Sequence, residues 1–366
     1  MTPLLQVNNL RVRFHSDFGD RIVTDDISFH VDEGETLGIV GESGCGKSVT
    51  NLAIMGLLSR NGTVEAGSAV MDGKDLLKLS DKELDKVRGK DIAMVFQDAL
   101  ASLDPVFPVG KQIEEQVRKH LGKTHQEAQQ MILEDLRQVG IPDPQQTMKK
   151  YPSELSGGMR QRIMIAMALS CGPKLLIADE PTTALDVTIQ AQIMQLIRGL
   201  AAKRHMSVIL ITHDIGVVAQ NADRVMVMYA GQFVEEAPVR ELFRNPLHPY
   251  TRALLAATPS LEDESGRELV PIPGTVPENY TFLTGCRFAG RCALKIDACD
   301  AHQEWREVLP GHYVRCCRVE AGLPKGADEV KEEAGAGTVC PGNTADVEGP
   351  AAAPALSEEK KEAAHV

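Results

Sequence analysis

Gly41-Glu42-Ser43-Gly44-Cys45-Gly46-Lys47-Ser48 constrains this chain more than any other segment. It follows a mostly apolar, β-branched run, Thr36-Leu37-Gly38-Ile39-Val40, and precedes a stretch from Asn51 to Leu58 that can continue as a helix. The segment fits G-x-x-x-x-G-K-S/T, in which glycines let successive backbone N–H groups close around phosphates and a helix N-terminus adds partial positive charge. In such a loop Lys47 reaches the β- and γ-phosphates and Ser48 ligates Mg²⁺. Alone, the pattern also fits a surface turn before a helix.

Two further segments reduce that ambiguity. Leu175-Leu176-Ile177-Ala178 is a short apolar run ending in Asp179 and Glu180, as expected of a buried parallel strand delivering acids to its C-terminal edge. Asp179 is expected to hold Mg²⁺, and Glu180 to orient a water and accept its proton. Leu155-Ser156-Gly157-Gly158-Met159-Arg160-Gln161 opens a helix, with Ser156 a good N-cap. Alone it reads as an ordinary capped helix, yet a glycine-bearing helix start is also an anion site.

With these three motifs in order, the chain resembles the nucleotide-binding subunits of ABC transporters. The resemblance implies ATP and Mg²⁺ as ligands, with nucleotide contacts from Gly41, Ser43, Gly44, Cys45, Gly46, Lys47, Ser48 and Val49. It implies that Ser156, Gly157 and Gly158 touch the γ-phosphate held by an opposite subunit, and that Ala184-Leu185-Asp186 crosses the dimer. Gln97, after Met94-Val95-Phe96, matches a loop glutamine that touches Mg²⁺ or the attacking water. His213, after Ile209-Leu210-Ile211-Thr212, matches a γ-phosphate contact, and Phe14 an aromatic that stacks on adenine. Read without the resemblance, these last three are a solvated Gln, a packed or solvated His and a core aromatic.

The expected fold is α/β: a P-loop nucleotide-binding domain with a parallel-sheet core over residues 1–235, interrupted by a helical subdomain at about 98–170. Within the latter, helical patterns run over 110–121 and 124–139, after a turn at Ser102-Leu103-Asp104-Pro105. The 366-residue length and 43% hydrophobic content suffice for such a core plus an appendage. A net charge of −12 argues against nonspecific nucleic-acid binding. The longest apolar runs fall far below the ~18 residues of a membrane-spanning helix, and no export signal opens the chain, so a cytoplasmic location is expected.

After residue 235, Asn245-Pro246-Leu247-His248-Pro249-Tyr250-Thr251-Arg252-Ala253-Leu254-Leu255 and Pro271-Ile272-Pro273-Gly274-Thr275-Val276-Pro277 resemble the C-terminal extension of oligopeptide and dipeptide importer ATPases. The resemblance covers about residues 4–320. It implies a second ATPase subunit, identical or not, two transmembrane permease subunits, an extracytoplasmic substrate-binding protein, and a place on the cytoplasmic face of the inner membrane. Nickel or another solute could replace peptide. A soluble ABC ATPase, or a redox module using the cysteines described next, is the alternative from another class.

Cys286, Cys292, Cys299, Cys316 and Cys317 crowd into one stretch of the extension, 236–320. Disulfides are disfavoured in a reducing cytoplasm, so a metal is expected, and chemistry alone does not choose between Zn²⁺ and an iron–sulfur cluster. The peptide-importer resemblance favours a 4Fe-4S cluster on Cys286, Cys292, Cys299 and Cys316, with Cys317 competing for the fourth place. Residues 321–366 are rich in Ala, Gly, Pro, Glu and Lys and are expected to be disordered.

Overall fold

The computed structural model describes residues 3–17, 19–183, 185–258, 271–277 and 280–319. Two sheets carry the fold. One is a four-stranded antiparallel sheet in the order β2-β1-β4-β5, made of β1 (Leu5–Phe14), β2 (Arg21–Val31), β4 (Gly62–Met71) and β5 (Lys74–Asp75). The other has eight strands in the order β11-β12-β10-β9-β3-β8-β7-β6. These are β3 (Thr36–Val40), β6 (Ile92–Val95), β7 (Leu175–Asp179), β8 (Ser207–Thr212), β9 (Arg224–Tyr229), β10 (Gln232–Pro238), β11 (Arg306–Leu309) and β12 (His312–Val314).

Pairing is parallel from β9 through β3, β8 and β7 to β6, and antiparallel at β10, β12 and β11. The expectation of a parallel core therefore holds for those five strands and fails for the rest. Only a short connection joins β1 to β2, too short for the crossover that parallel strands require. β11 and β12, from the extension, lengthen the main sheet, with Glu235 opposite Val314.

Both faces of the parallel part of the main sheet are covered, so β3, β6, β7 and β8 are almost wholly buried and mostly apolar. Leu37, Ile39, Leu175, Ile177, Ile209 and Ile211 face a core shared with the antiparallel sheet and with Ile54. The alternate residues Val40, Leu176, Ala178, Val208 and Leu210 face the helices Gly157–Leu169 and Val187–Arg204. The helices Val109–Leu121 and His125–Gln138 lie within a residue of the expected spans. A capping box fixes the second, Thr124 and Glu127 each bonding the other's backbone N–H. Ser102, expected in a turn, instead closes the short helix Ala99–Ser102.

The helix after the phosphate loop spans Lys47–Ile54 and stops short of Leu58. Gly56 takes φ 61°, and Arg88 donates to the Met55 and Gly56 carbonyls, each at 2.7 Å, ending the helix there. No helix among the described residues is long and apolar enough to cross a membrane. The expected disordered tail lies outside the described residues.

Candidate nucleotide site

β3, paired on both sides, delivers the phosphate loop to the C-terminal ends of the parallel strands. Gly41 is obligatory, because a Cβ there would stand 2.1 Å from the Met228 carbonyl oxygen. Gly46, at φ 108°, turns the chain into the helix Lys47–Ile54. Lys47 is buried, its Nζ donating to the carbonyls of Gly41 at 2.7 Å and Glu42 at 3.0 Å and lying 3.8 Å from Cys45 Sγ. Ser43 and Gly44 are exposed at the loop's rim, whereas Cys45 is buried beneath it, with Ser48 and Val49 half-buried.

Ser48, at the helix start, donates from Oγ to Asp179 Oδ1 at 3.0 Å. Burial pushes the Asp179 carboxyl above its ordinary value, against the lowering effect of the Ser48 bond. Glu180 follows at φ 46°, a left-handed conformation that a glutamate adopts only under constraint. Its N–H donates to the Ile211 carbonyl, and three side chains meet its carboxylate. Gln97 Nε2 lies 3.0 Å from Oε2, Thr183 Oγ1 2.9 Å from Oε2, and His213 Nδ1 3.3 Å from Oε1. Thr183 was not anticipated from sequence, although a hydroxyl three residues after the acid was the available signal.

The structure thus joins Lys47, Ser48, Asp179, Glu180, Gln97 and His213 into one site. Ser48 and Asp179 offer adjacent oxygen donors at a helix N-terminus, which fits Mg²⁺, an ion that takes one or two carboxylates and completes its shell with phosphate and water. Gln97 bonds Glu180 here.

Ser156, Gly157, Gly158 and Asp186 are not brought to the phosphate loop. Ser156 and Gly157 are exposed at the start of the helix Gly157–Leu169, where the Met159 N–H donates to Ser156 Oγ. Asp186, also exposed, caps the helix Val187–Arg204 by accepting from Ile189 N–H at 2.9 Å. The two helix starts adjoin, since a Cβ on Gly157 would be 3.8 Å from Leu185 and one on Gly158 3.3 Å from Ile189. Ala184 lies outside the described residues. Phe14 is half-buried at the end of β1, packed against the core.

The cysteines of the extension gather in one place: Cys286 faces Cys292, Cys299 and Cys316, and Cys316 faces Cys292, Cys299 and Cys317, each neighbour near enough to raise the thiol it faces. Among the described residues no three His, Cys, Asp or Glu side chains meet closely enough to hold a metal ion. Cys299 Sγ stands 3.7 Å from Cys317 Sγ. Burial pushes the Cys286 thiol up to about 12 and Cys316 to about 11.

Comparison with known proteins agrees with the nucleotide site. Residues 24–183 match the ABC transporter family, and residues 234–299 match the oligopeptide/dipeptide transporter C-terminal region. The oligopeptide transport ATP-binding protein AppD of Bacillus subtilis is 49% identical over 304 residues, 83% of this chain and 92% of AppD. The chain belongs to the ABC transporter ATP-binding family. A putative peptide import ATP-binding protein of Brucella melitensis is 49% identical over 86% of this chain and 94% of its own length.

Among solved structures, the ATP-binding cassette MJ0796 in a dimeric post-hydrolysis state, bound to ADP and Pi, superposes with a TM-score of 0.58 at 28% identity. It covers 64% of this chain and 99% of the cassette. The cbiO1 protein of Clostridium perfringens gives a TM-score of 0.57 at 27% identity, over 67% of this chain and 92% of its own. The family and the site together make this ABC subunit an ATPase.

Proposed function

We propose that this subunit hydrolyses ATP to power uptake of dipeptides and oligopeptides through an ABC importer. The observation that carries the reading is the joining, in one chain, of a complete phosphate site to a C-terminal region of the oligopeptide/dipeptide type. The division into a cassette over 1–235, with its helical subdomain at about 98–170, and an extension over 236–320 belongs to this reading.

Lys47 and the loop N–H groups hold the phosphates, and Phe14 stacks on adenine. Ser48 and Asp179, with Gln97 nearby, would hold Mg²⁺, which would supply positive charge against the phosphates. Glu180 orients the attacking water and takes its proton, while Gln97, Thr183 and His213 fix the carboxylate; His213 also reaches the γ-phosphate. Ser156, Gly157, Gly158 and Asp186 serve the nucleotide of a second ATPase subunit, so ATP closes the dimer and hydrolysis reopens it. Two transmembrane permease subunits and an extracytoplasmic binding protein complete the importer, placing this chain on the cytoplasmic face of the membrane. The exposed glycine-bearing helix start supports this reading, because an anion site facing solvent needs a ligand from elsewhere. The gathered thiols of Cys286, Cys292, Cys299 and Cys316, with Cys317 competing for the fourth place, would hold an iron–sulfur cluster in this reading.

Uptake of a labelled tripeptide by cells carrying the complete transporter tests the proposal. Lys47→Ala should abolish uptake. Uptake that persists in that variant overturns the ATPase role, and nickel uptake without peptide uptake overturns the substrate.

A further inference from the structure

The C-terminal extension reaches the phosphate loop itself. Arg291, closing the turn Ala289–Arg291, grips the Glu42 carboxylate with two prongs, Nη1 to Oε2 at 2.8 Å and Nη2 to Oε1 at 3.1 Å. The guanidinium is fixed in turn. Its Nε donates to the Pro273 carbonyl at 2.7 Å, its Nη1 lies 3.3 Å from Tyr229 Oη, and the Tyr229 and Phe288 ring centroids lie 5.8 and 5.9 Å away. Only 8% of the Arg291 side chain is exposed, so the pair is shielded in a way that most surface ion pairs are not.

Tyr250, also from the extension and fully buried, accepts the Glu42 N–H on its hydroxyl at 2.9 Å. Glu42 is therefore held at three points: carboxylate on Arg291, N–H on Tyr250, and carbonyl on Lys47. A second brace acts on the middle of the loop. Gly231 donates its N–H to the Cys45 carbonyl at 2.9 Å, and Arg287 of the extension holds the adjoining Ala230 carbonyl at 2.6 Å and Asp25 at 2.6 Å.

We propose that the extension sets the ATP affinity of the cassette, with Arg291 and Tyr250 as positioning residues for the phosphate loop. A glycine-rich loop released from these braces spreads over many conformations. Apparent affinity then falls by the fraction that remains competent to receive phosphate. The inference rests on the ATP-binding reading of the loop.

The test is equilibrium binding of a fluorescent ATP analogue to the full-length chain, with ATPase assays and melting curves alongside. Arg291→Gln and Glu42→Gln should each weaken binding and raise KM by about fivefold to tenfold, with kcat within about twofold of the parent chain. The double variant should be no weaker than the poorer single one, because both remove one interaction. Arg291→Lys should recover part of the loss. Tyr250→Phe keeps the packed ring and should weaken binding by about threefold. Parent-like affinity in the Arg291 and Glu42 variants, or losses that add in the double variant, overturns the proposal. Should Arg291→Gln not fold, Glu42→Gln and Tyr250→Phe decide by the same affinities. A parent chain that binds no ATP overturns the nucleotide reading together with the proposal, whereas a parent that binds with unaffected variants overturns the proposal alone.

Discussion

The phosphate side of the nucleotide site and its glycine-bearing helix start are built to different rules. On the phosphate side Lys47 and Asp179 are buried, and burial raises the Asp179 carboxyl above its ordinary value. Glu180 there sits at a positive φ that its side chain disfavours. At the helix start Ser156 and Gly157 lie in solvent, with an ordinary cap and no strained backbone. Strain and desolvation are concentrated where groups must be preorganised for charge, while a surface awaiting a partner's ligand needs only to be presented.

The sharpest way to break that contrast is Glu180→Gln. Loss of the general base should lower turnover by on the order of 10²–10³ while ATP binding survives. Unchanged steady-state hydrolysis would remove Glu180 from the chemistry and leave its strained backbone without a purpose. Gly157→Asp addresses the other side. A carboxylate at an anion-facing helix start should reduce turnover by about tenfold or more, with ATP affinity of the isolated chain unaltered. A loss of affinity in the isolated chain would mean that this segment serves the chain's own nucleotide, and the contrast would fall.

Much of the phosphate side was legible from sequence because its elements are local. An apolar strand, a glycine loop and a helix follow one another within a few residues, and Asp179 and Glu180 end a strand whose burial its composition announces. What composition could not supply was strand partnership: the alternating β1, β2 and β4 say which face is buried but not that they form a separate sheet. Nor did any local pattern point to Arg291 on Glu42, 249 residues apart in the chain. The crowding of the cysteines in sequence carried over into the fold, but that Cys317 would lie 3.7 Å from Cys299 did not follow from spacing.

Stability offers a smaller but cleaner measure. Burial holds the folded-state pKa of Asp179 above its unfolded value, so the ionised group opposes folding above the folded pKa, and the opposition fades as pH falls through it. Asp179→Asn keeps an acceptor for Ser48 and should stabilise the nucleotide-free chain by about 1–2 kcal/mol at neutral pH while abolishing hydrolysis. The melting-temperature gap between parent and variant should close as pH is lowered. A variant no more stable than its parent at neutral pH would show that the buried carboxylate carries no such cost.

Ser156→Ala is the least disruptive probe and the one that separates presentation from strain. The Ser156 side chain accepts the Met159 N–H, at 3.4 Å and in solvent, so its removal should cost about 1 kcal/mol or less, typical of a lost cap. The same hydroxyl, if it contacts a partner's γ-phosphate, should matter more to turnover in the assembled transporter than to folding of the subunit. Thermal unfolding of the subunit and ATP turnover of the complex, measured on the same variant, give the two effects separately. If folding suffers and turnover does not, Ser156 is a helix cap and nothing more, and recognition across the dimer must rest on the backbone N–H groups of Gly157 and Gly158.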